Sequence, residues 1–293
     1  MSWAILSPIL IAASAVIIVV LERLRPYDSR QSLFRVGFFT DFFWYTLVQS
    51  YVLGLVIESI ILALDRGTGL RRLHLVSGWP VLAQLALFWI THDFYIYWFH
   101  RLQHKSRWLW RTHEAHHSGK DVDWLSGSRS HALEILINQT IEYAPIVLFG
   151  AAPEVALMKG VLDAAWGMYI HSNIDVRAGA LQYVLNGPEM HRWHHAVDKD
   201  RREYNFATKI AVWDWIFGTA HLPAEKPAAY GLWGNAPFPE RTGWRGALGD
   251  YFAQHAWAFR RFAKRSERRV EDHQPSGAGD RRFTGLAEPP STG

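Results

Sequence analysis

Trp3 to Leu21 runs for 19 residues without a charged side chain. At 1.5 Å of rise per residue, a helix of that length crosses roughly 30 Å of hydrocarbon. The chain is therefore expected to fold around a bilayer. The run has no basic stretch ahead of it and its Ala-Ala-Ser lies in mid-run, which reads as a retained anchor rather than a cleaved signal peptide. Arg23, Arg25, Arg30 and Arg35 follow it and place its end in the cytoplasm by the positive-inside rule. Phe42 to Leu64, interrupted only by Glu58, is the second apolar run, and Trp79 to Phe99, which contains His92 and Asp93, is the third. The loop between them carries Arg66, Arg71 and Arg72, the wrong sign for an outside loop. Either the other loops dominate the orientation, or the second run is a hairpin that does not cross. His131 to Phe149 and Val155 to Ile170, joined through Gly150 and Pro153, read as a hairpin that dips into the bilayer and returns to the same side.

The third run leads into Asp93 to Ser118, which packs five of the chain's 15 histidines into 26 residues. Residues three and four apart share one face of a helix. His100 with His104, His113 with His116 and His117, and His191 with His194 and His195 each direct neighbouring imidazoles at one point. Eight such histidines exceed the four protein ligands that a tetrahedral zinc takes, so two ions are expected. Ionisable groups at membrane depth are costly and mark function. The basic residues Arg101, Lys105, Arg107 and Arg111 put this end of the third helix on the cytoplasmic side.

The chain has no cysteine, which removes disulfides, iron–sulfur clusters held by this chain, cysteine-ligated zinc and a thiol nucleophile. Imidazole and carboxylate remain as metal ligands, and imidazole suits zinc, iron, copper and nickel alike. A net charge of +4 could serve nucleic acid, but the basic residues cluster beside apolar segments, as they do at a membrane surface. No partnership with nucleic acid is expected. His113-Glu114-Ala115-His116-His117 also satisfies H-E-x-x-H, the helical zinc motif in which Glu is a general base. A membrane zinc metallohydrolase using His113, Glu114 and His117 is thus the competing reading, although it leaves the histidines around residue 191 with little to do.

Other polar residues near these clusters have two readings each. His92 is two helical turns from His100, about 12 Å of rise, and is expected not to be a ligand. His131 is either a further ligand or a support for one. Asp93, Glu134, Asn205 and Asp214 either orient imidazoles through the free ring N–H or serve as caps and surface groups. Tyr204 and the neighbouring tryptophans are expected to wall the site. Arg245 to Arg269 mixes aromatic and basic residues as an interfacial helix does, and an ordinary amphipathic surface helix fits as well. After Glu271 the Pro, Gly, Ser and Thr content reads as a disordered tail.

Asp93 to Arg101 with His104, His113 to Ser118, Arg129 to Glu134, and Met190 to His195 with Trp213-Asp214 and Phe217-Gly218-Thr219 together resemble the fatty acid hydroxylase and sterol desaturase superfamily. The bacterial sterol-desaturase-like branch and the alkylglycerol monooxygenases are the nearer likeness. The resemblance implies an integral-membrane, non-haem enzyme holding two iron ions, with O2 as co-substrate, that hydroxylates or desaturates a lipid. It implies as metal ligands His100 and His104 from one box, His113, His116 and His117 from the second, His191, His194 and His195 from the third, and His171 between the second and third. Ala132 stands where many relatives have proline, and Trp166 or Gly167 stands where fatty acid 2-hydroxylases place a further ligand. Electrons must come from an external donor, a reductase with a ferredoxin or a cytochrome b5-like carrier, because the chain shows no dinucleotide loop and no haem signature.

The expected fold is all-α: an integral membrane helical bundle of about four to five embedded helices with a cytoplasmic, histidine-rich helical cap. The expected segments are membrane anchor helices over 1–78, the catalytic domain over 79–222, an interfacial segment over 223–270 and the tail over 271–293.

Overall fold

α1 (Trp3–Leu24) keeps its aliphatic side chains on the outside: Val16 is 63% exposed, and only Ser7, Ile18 and Glu22 are buried. An apolar face of that extent suits lipid contact. In this computed structural model, which describes residues 1–197, 204–233, 237–241 and 243–260, α1 packs along α6 (Pro153–His171). At the end of α1, the Glu22 carboxylate accepts the backbone N–H groups of Trp124 and Asn173, at 2.9 and 2.8 Å.

The second apolar run is one continuous helix rather than a hairpin. Thr40–Gln49 winds as a π-helix and passes without a break into α2 (Ser50–Thr68), 29 residues in all. Its first half lies by the histidines, where the Gln49 amide donates to the Ser130 carbonyl at 2.9 Å. Its other end leads to the loop carrying Arg71 and Arg72, which lies against Phe149 and Gly150 at the opposite end of the bundle. The helix thus runs the full length of the bundle, and the basic loop at its far end lies away from the histidines. Among the described residues, α1 and the Thr40–Thr68 helix are the two long enough and apolar enough to cross a bilayer.

α3 (Val81–Lys105) returns from that far end. Its Gln84 side chain accepts from the Ala152 N–H at 2.8 Å, beside the turn between α5 (Ala132–Leu148) and α6. Pro153 at the first position of α6 suits that turn, since its missing N–H is one the helix could not have used. α5 starts and α6 ends beside the histidines, so this pair is a hairpin with both feet at the site. Val76, Leu85, Phe88, Ile146 and Val155 form the apolar core at the far end, and Ile57, Ile61 and Ala144 join α2 to α5.

Short helices close the histidine end: α4 (Arg107–His117), α7 (Pro188–His194) and α8 (Val212–Ile216). α9 (Ala247–Trp257) packs on the π-helix, where the Tyr45 hydroxyl donates to Gln254 at 2.9 Å and the Tyr251 hydroxyl to Gln49 at 2.9 Å. Its other face leaves Leu248 and Phe252 exposed, so one face of the expected interfacial segment is spent on tertiary packing. Residues 261–293, with the expected disordered tail, lie outside the described residues. Met1–Phe259 form one compact unit. Among the described residues the chain has three isolated β-bridges and no strand.

Candidate metal centre

Ser106 determines how the first two histidine boxes meet. It ends α3 in an extended conformation and its hydroxyl accepts from the Leu109 N–H at the start of α4, at 3.4 Å. A single-residue corner therefore turns α4 back so that His113 faces His100, with their Nε2 atoms 3.1 Å apart. α7 brings the third box, and Gly187 with Pro188 starts it. The last residue of α6, His171, completes the set, with its Nε2 2.9 Å from His191 Nε2 and 3.3 Å from His116 Nε2.

The nine histidines sort into two groups. His100, His104, His113, His117 and His194 form one, and His116, His171, His191 and His195 the other, each with its ligand atoms within 4.8 Å of one another. The groups adjoin, with the His117 and His195 rings stacked at 4.6 Å. The division cuts across the boxes, because successive residues point to different sides of a helix: His116 and His117 go to different groups, as do His194 and His195.

This donor set fits metal ions. Two imidazoles on one ion at roughly 2.0–2.1 Å have nitrogens about 3 Å apart, and the separations across the site run from 2.9 to 3.3 Å. His104 Nε2 and His194 Nε2 are buried without a hydrogen-bond partner, which is costly unless a cation takes the lone pair. Four of the opposite ring nitrogens are engaged: His100 Nδ1 on the Phe206 carbonyl at 2.8 Å, His171 Nδ1 on that of Gly167 at 2.7 Å, His194 Nδ1 on that of Tyr204 at 2.9 Å, and His113 Nδ1 on the Glu134 carboxylate at 2.9 Å. A proton held at Nδ1 leaves Nε2 as the lone pair that a metal needs. Burial, and after it the neighbouring imidazoles, push His116, His117, His191 and His195 well below the ordinary histidine range, and burial takes His194 down to about 3. They are neutral at pH 7, the state in which imidazole binds metal.

Of the residues expected to support the ligands, Glu134 alone bonds an imidazole. Asp93 instead accepts from Thr208 Oγ1, the backbone N–H groups of Lys209 and Ile210 and the Trp213 indole, at 2.9 to 3.0 Å. It pins a loop. Asp214 accepts from the N–H groups of Phe206 and Ala207 and from the Thr219 hydroxyl, so it reaches His100 only through the Phe206 carbonyl. Asn205, in the left-handed region at φ 57°, ties the Met190 carbonyl to both backbone groups of His221. His131 belongs to neither group. Its Nδ1 accepts from the Leu133 N–H as the cap of α5 and its Nε2 contacts the His255 carbonyl. The reason for these departures is common to Asp93, Asp214 and Asn205: each sits where loop backbone needs partners more than an imidazole does.

The H-E-x-x-H reading meets a specific obstacle. A hydrolytic general base must face the metal and its water, but the Glu114 carboxylate accepts from the Trp257 indole at 2.9 Å and is in neither group. His92 is in neither group as well. It lies in a buried cluster with Glu142, Lys159 and Asp163. Lys159 and Asp163, four residues apart in an apolar stretch, carried the signal of ionisable groups at membrane depth. Two further supports carry no such mark. Gly127 lets His171 approach, since a Cβ there would stand 2.8 Å from His171 Nδ1. Arg129, buried, ion-paired to Asp41 at 2.7 Å and bonded to the Ser118 hydroxyl at 3.0 Å, secures the end of α4.

Residues 85–219 match the family model for fatty acid hydroxylase. The chain is 33% identical over 145 residues to ornithine lipid hydroxylase OlsE of Rhizobium tropici, covering 50% of this chain and 44% of that protein. It is 34% identical over 140 residues to human alkylglycerol monooxygenase, covering 48% and 31%, and 28% identical over 161 residues to methylsterol monooxygenase 2-2 of Arabidopsis thaliana, covering 53% and 59%. The chain thus spans less than half the length of the first two relatives. No solved structure matches it significantly.

Proposed function

We propose, from a chain whose residues 85–219 belong to the fatty acid hydroxylase family, that the protein is a membrane-bound, non-haem di-iron oxygenase that hydroxylates or desaturates a membrane lipid. The observation that carries this reading is the division of nine clustered histidines into adjoining groups of five and four. One ion cannot use nine ligands, and neither group contains the hydrolytic base that a zinc enzyme would need. Relatives that hydroxylate an ornithine lipid, an alkylglycerol and a methylsterol support oxygen chemistry on a lipid.

The two groups would hold one iron each, supplying the redox chemistry by which O2 attacks an unactivated C–H bond. Hydroxylation consumes one O2, two electrons and two protons per lipid and releases one water; desaturation with the same inputs releases two. The chain's own part is to hold the imidazoles in one tautomer through Phe206, Gly167, Tyr204 and Glu134, and to keep bulk water out of a buried site. Lipid would enter from the bilayer alongside α3, α5 and α6. Electrons would arrive from a reductase with a ferredoxin or cytochrome b5-like carrier.

The orientation is part of the proposal. Arg23, Arg25, Arg101 and Arg107 lie at the histidine end, which supports a bacterial inner-membrane enzyme with its metals facing the cytoplasm. The test combines metal analysis of the purified protein with mass spectrometry of membrane lipids from a deletion strain and its complemented parent. Two irons per chain and a lipid changed by one oxygen or two hydrogens, formed only in air, are expected. One zinc per chain, or product formed without O2, would overturn the reading.

A further inference from the structure

A cavity of about 190 Å³ opens beside the metal centre, reaching His100 and His113 of one group and His116, His171 and His191 of the other. For an oxygenase acting on a plain hydrocarbon chain, its wall would be apolar throughout. Here Ile96, Ile135 and Ile170 make part of the wall, and Asp163 and Lys209, ion-paired at 3.3 Å, make a polar part together with Gln103, Glu134, Asn138 and Trp166. Gln103 Nε2, Glu134 Oε2, Asn138 Oδ1 and Trp166 Nε1 are all buried without a hydrogen-bond partner. Buried polar atoms are rarely left so. Four of them around one small cavity, two donors and two acceptors, beside a charge pair, describe a partner rich in hydrogen bonds. An alkyl segment would leave every one of them unanswered.

Building on the oxygenase reading, we infer that this wall is a headgroup subsite, and that the lipid places a zwitterionic, amino-acid-like headgroup against Asp163 and Lys209, with Asn138 and Trp166 completing its hydrogen bonds. In a cavity of about 190 Å³ lined by both the histidines and this pair, a carbon within a few bonds of that headgroup, rather than one in mid-chain, would meet the histidine nitrogens. Asp163 would take the ammonium and Lys209 the carboxylate. Lys159, already paired with Glu142 and Asp163, holds the Asp163 carboxylate in place.

The experiment is equilibrium dialysis of two labelled probes of equal chain length, Nε-dodecanoyl-lysine and dodecanol, against the metal-loaded protein in phosphatidylcholine nanodiscs under argon, with uptake by empty discs subtracted. The zwitterion is expected to bind at least about tenfold more tightly. Asn138→Leu, which keeps the branched shape and number of heavy atoms, and Trp166→Phe, which deletes the indole N–H along with part of the ring, are each expected to remove most of that preference, and Asn138→Leu to do so without lowering the melting temperature. Equal binding of the two probes, or a preference that both variants retain, would overturn the subsite, as would a fall in melting temperature with both probes weakened alike. Because binding is read without turnover, failure of O2-dependent activity would strike the oxygenase reading alone.

Discussion

Replacing Glu134 should weaken one metal position and spare the other. Its Oε1 holds His113 Nδ1 at 2.9 Å in a buried setting, and His113 belongs to the group of five. Removing the orienting partner of a ligating histidine costs 10- to 100-fold in metal affinity, about 1.4–2.7 kcal/mol. Glu134→Gln keeps an acceptor at the same reach but loses the charge, and a charge-assisted bond is roughly twice as strong as a neutral one. It should therefore sit near the lower figure, ~10-fold. Glu134→Leu strands a buried N–H, which costs ~1–3 kcal/mol, and frees His113 to exchange tautomers, so it should reach the higher figure. The assay is competition with a graded series of chelators, followed by counting iron retained per chain. On the di-iron reading, Glu134→Leu should give up one ion to a weaker chelator than wild type does and should release the second, at the group of His116, His171, His191 and His195, where wild type does. Loss of both ions in step, or no difference between Gln and Leu, would refute the assignment of Glu134 to one ion.

Other tests reach different parts of the site. Gly127→Ala puts a Cβ 2.8 Å from His171 Nδ1 and 3.3 Å from the Gly167 carbonyl that holds it; His171 must shift, and retained iron should fall toward one per chain while the group of five stays loaded. Glu114→Gln should keep both ions and most activity, since that carboxylate faces Trp257; abolished turnover with metal intact would restore the hydrolase reading. Acid should destabilise the metal-free protein. His194 is held down to about 3 and His116, His117, His191 and His195 move the same way, while unfolded histidine protonates near 6.5. The unfolded state then binds more protons below that pH, so the stability is present above about 6.5 and is lost as pH falls toward about 3, at about 1.4 kcal/mol per unit per histidine. Melting temperatures of chelator-treated protein that stay flat from about pH 7.5 to 5.5 would contradict this.

Much of the architecture is legible one stretch at a time. The uncharged length of Trp3 to Leu21 is enough to expect a lipid-facing helix, because hydropathy and rise per residue are properties of consecutive residues. The hairpin through Gly150 and Pro153 follows in the same way from local breakers. The second run is different: whether Phe42 to Leu64 crosses or doubles back depends on whether its far end has a partner, and that partner, the turn at Phe149 and Gly150, is some 80 residues away in the chain.

The histidine centre divides along the same line. Spacings of three and four residues alone bring His100 near His104 and His113 near His116 and His117, since helical periodicity is local. Which imidazoles share an ion is not local. His116 joins His171, His191 and His195 while its neighbour His117 joins His100, His104, His113 and His194, because the corner at Ser106 and the arrival of α7 aim the two sides of one helix at different partners. The supports are less legible still. Glu134 and His131 are equally plausible on paper, and packing gave the imidazole to Glu134 and the cap of α5 to His131. Side-chain chemistry determined that this chain gathers histidines at one end of apolar helices; only the packing of distant helices decided how nine of them divide into groups of five and four, because that choice rests on ångström distances between residues that the sequence keeps far apart.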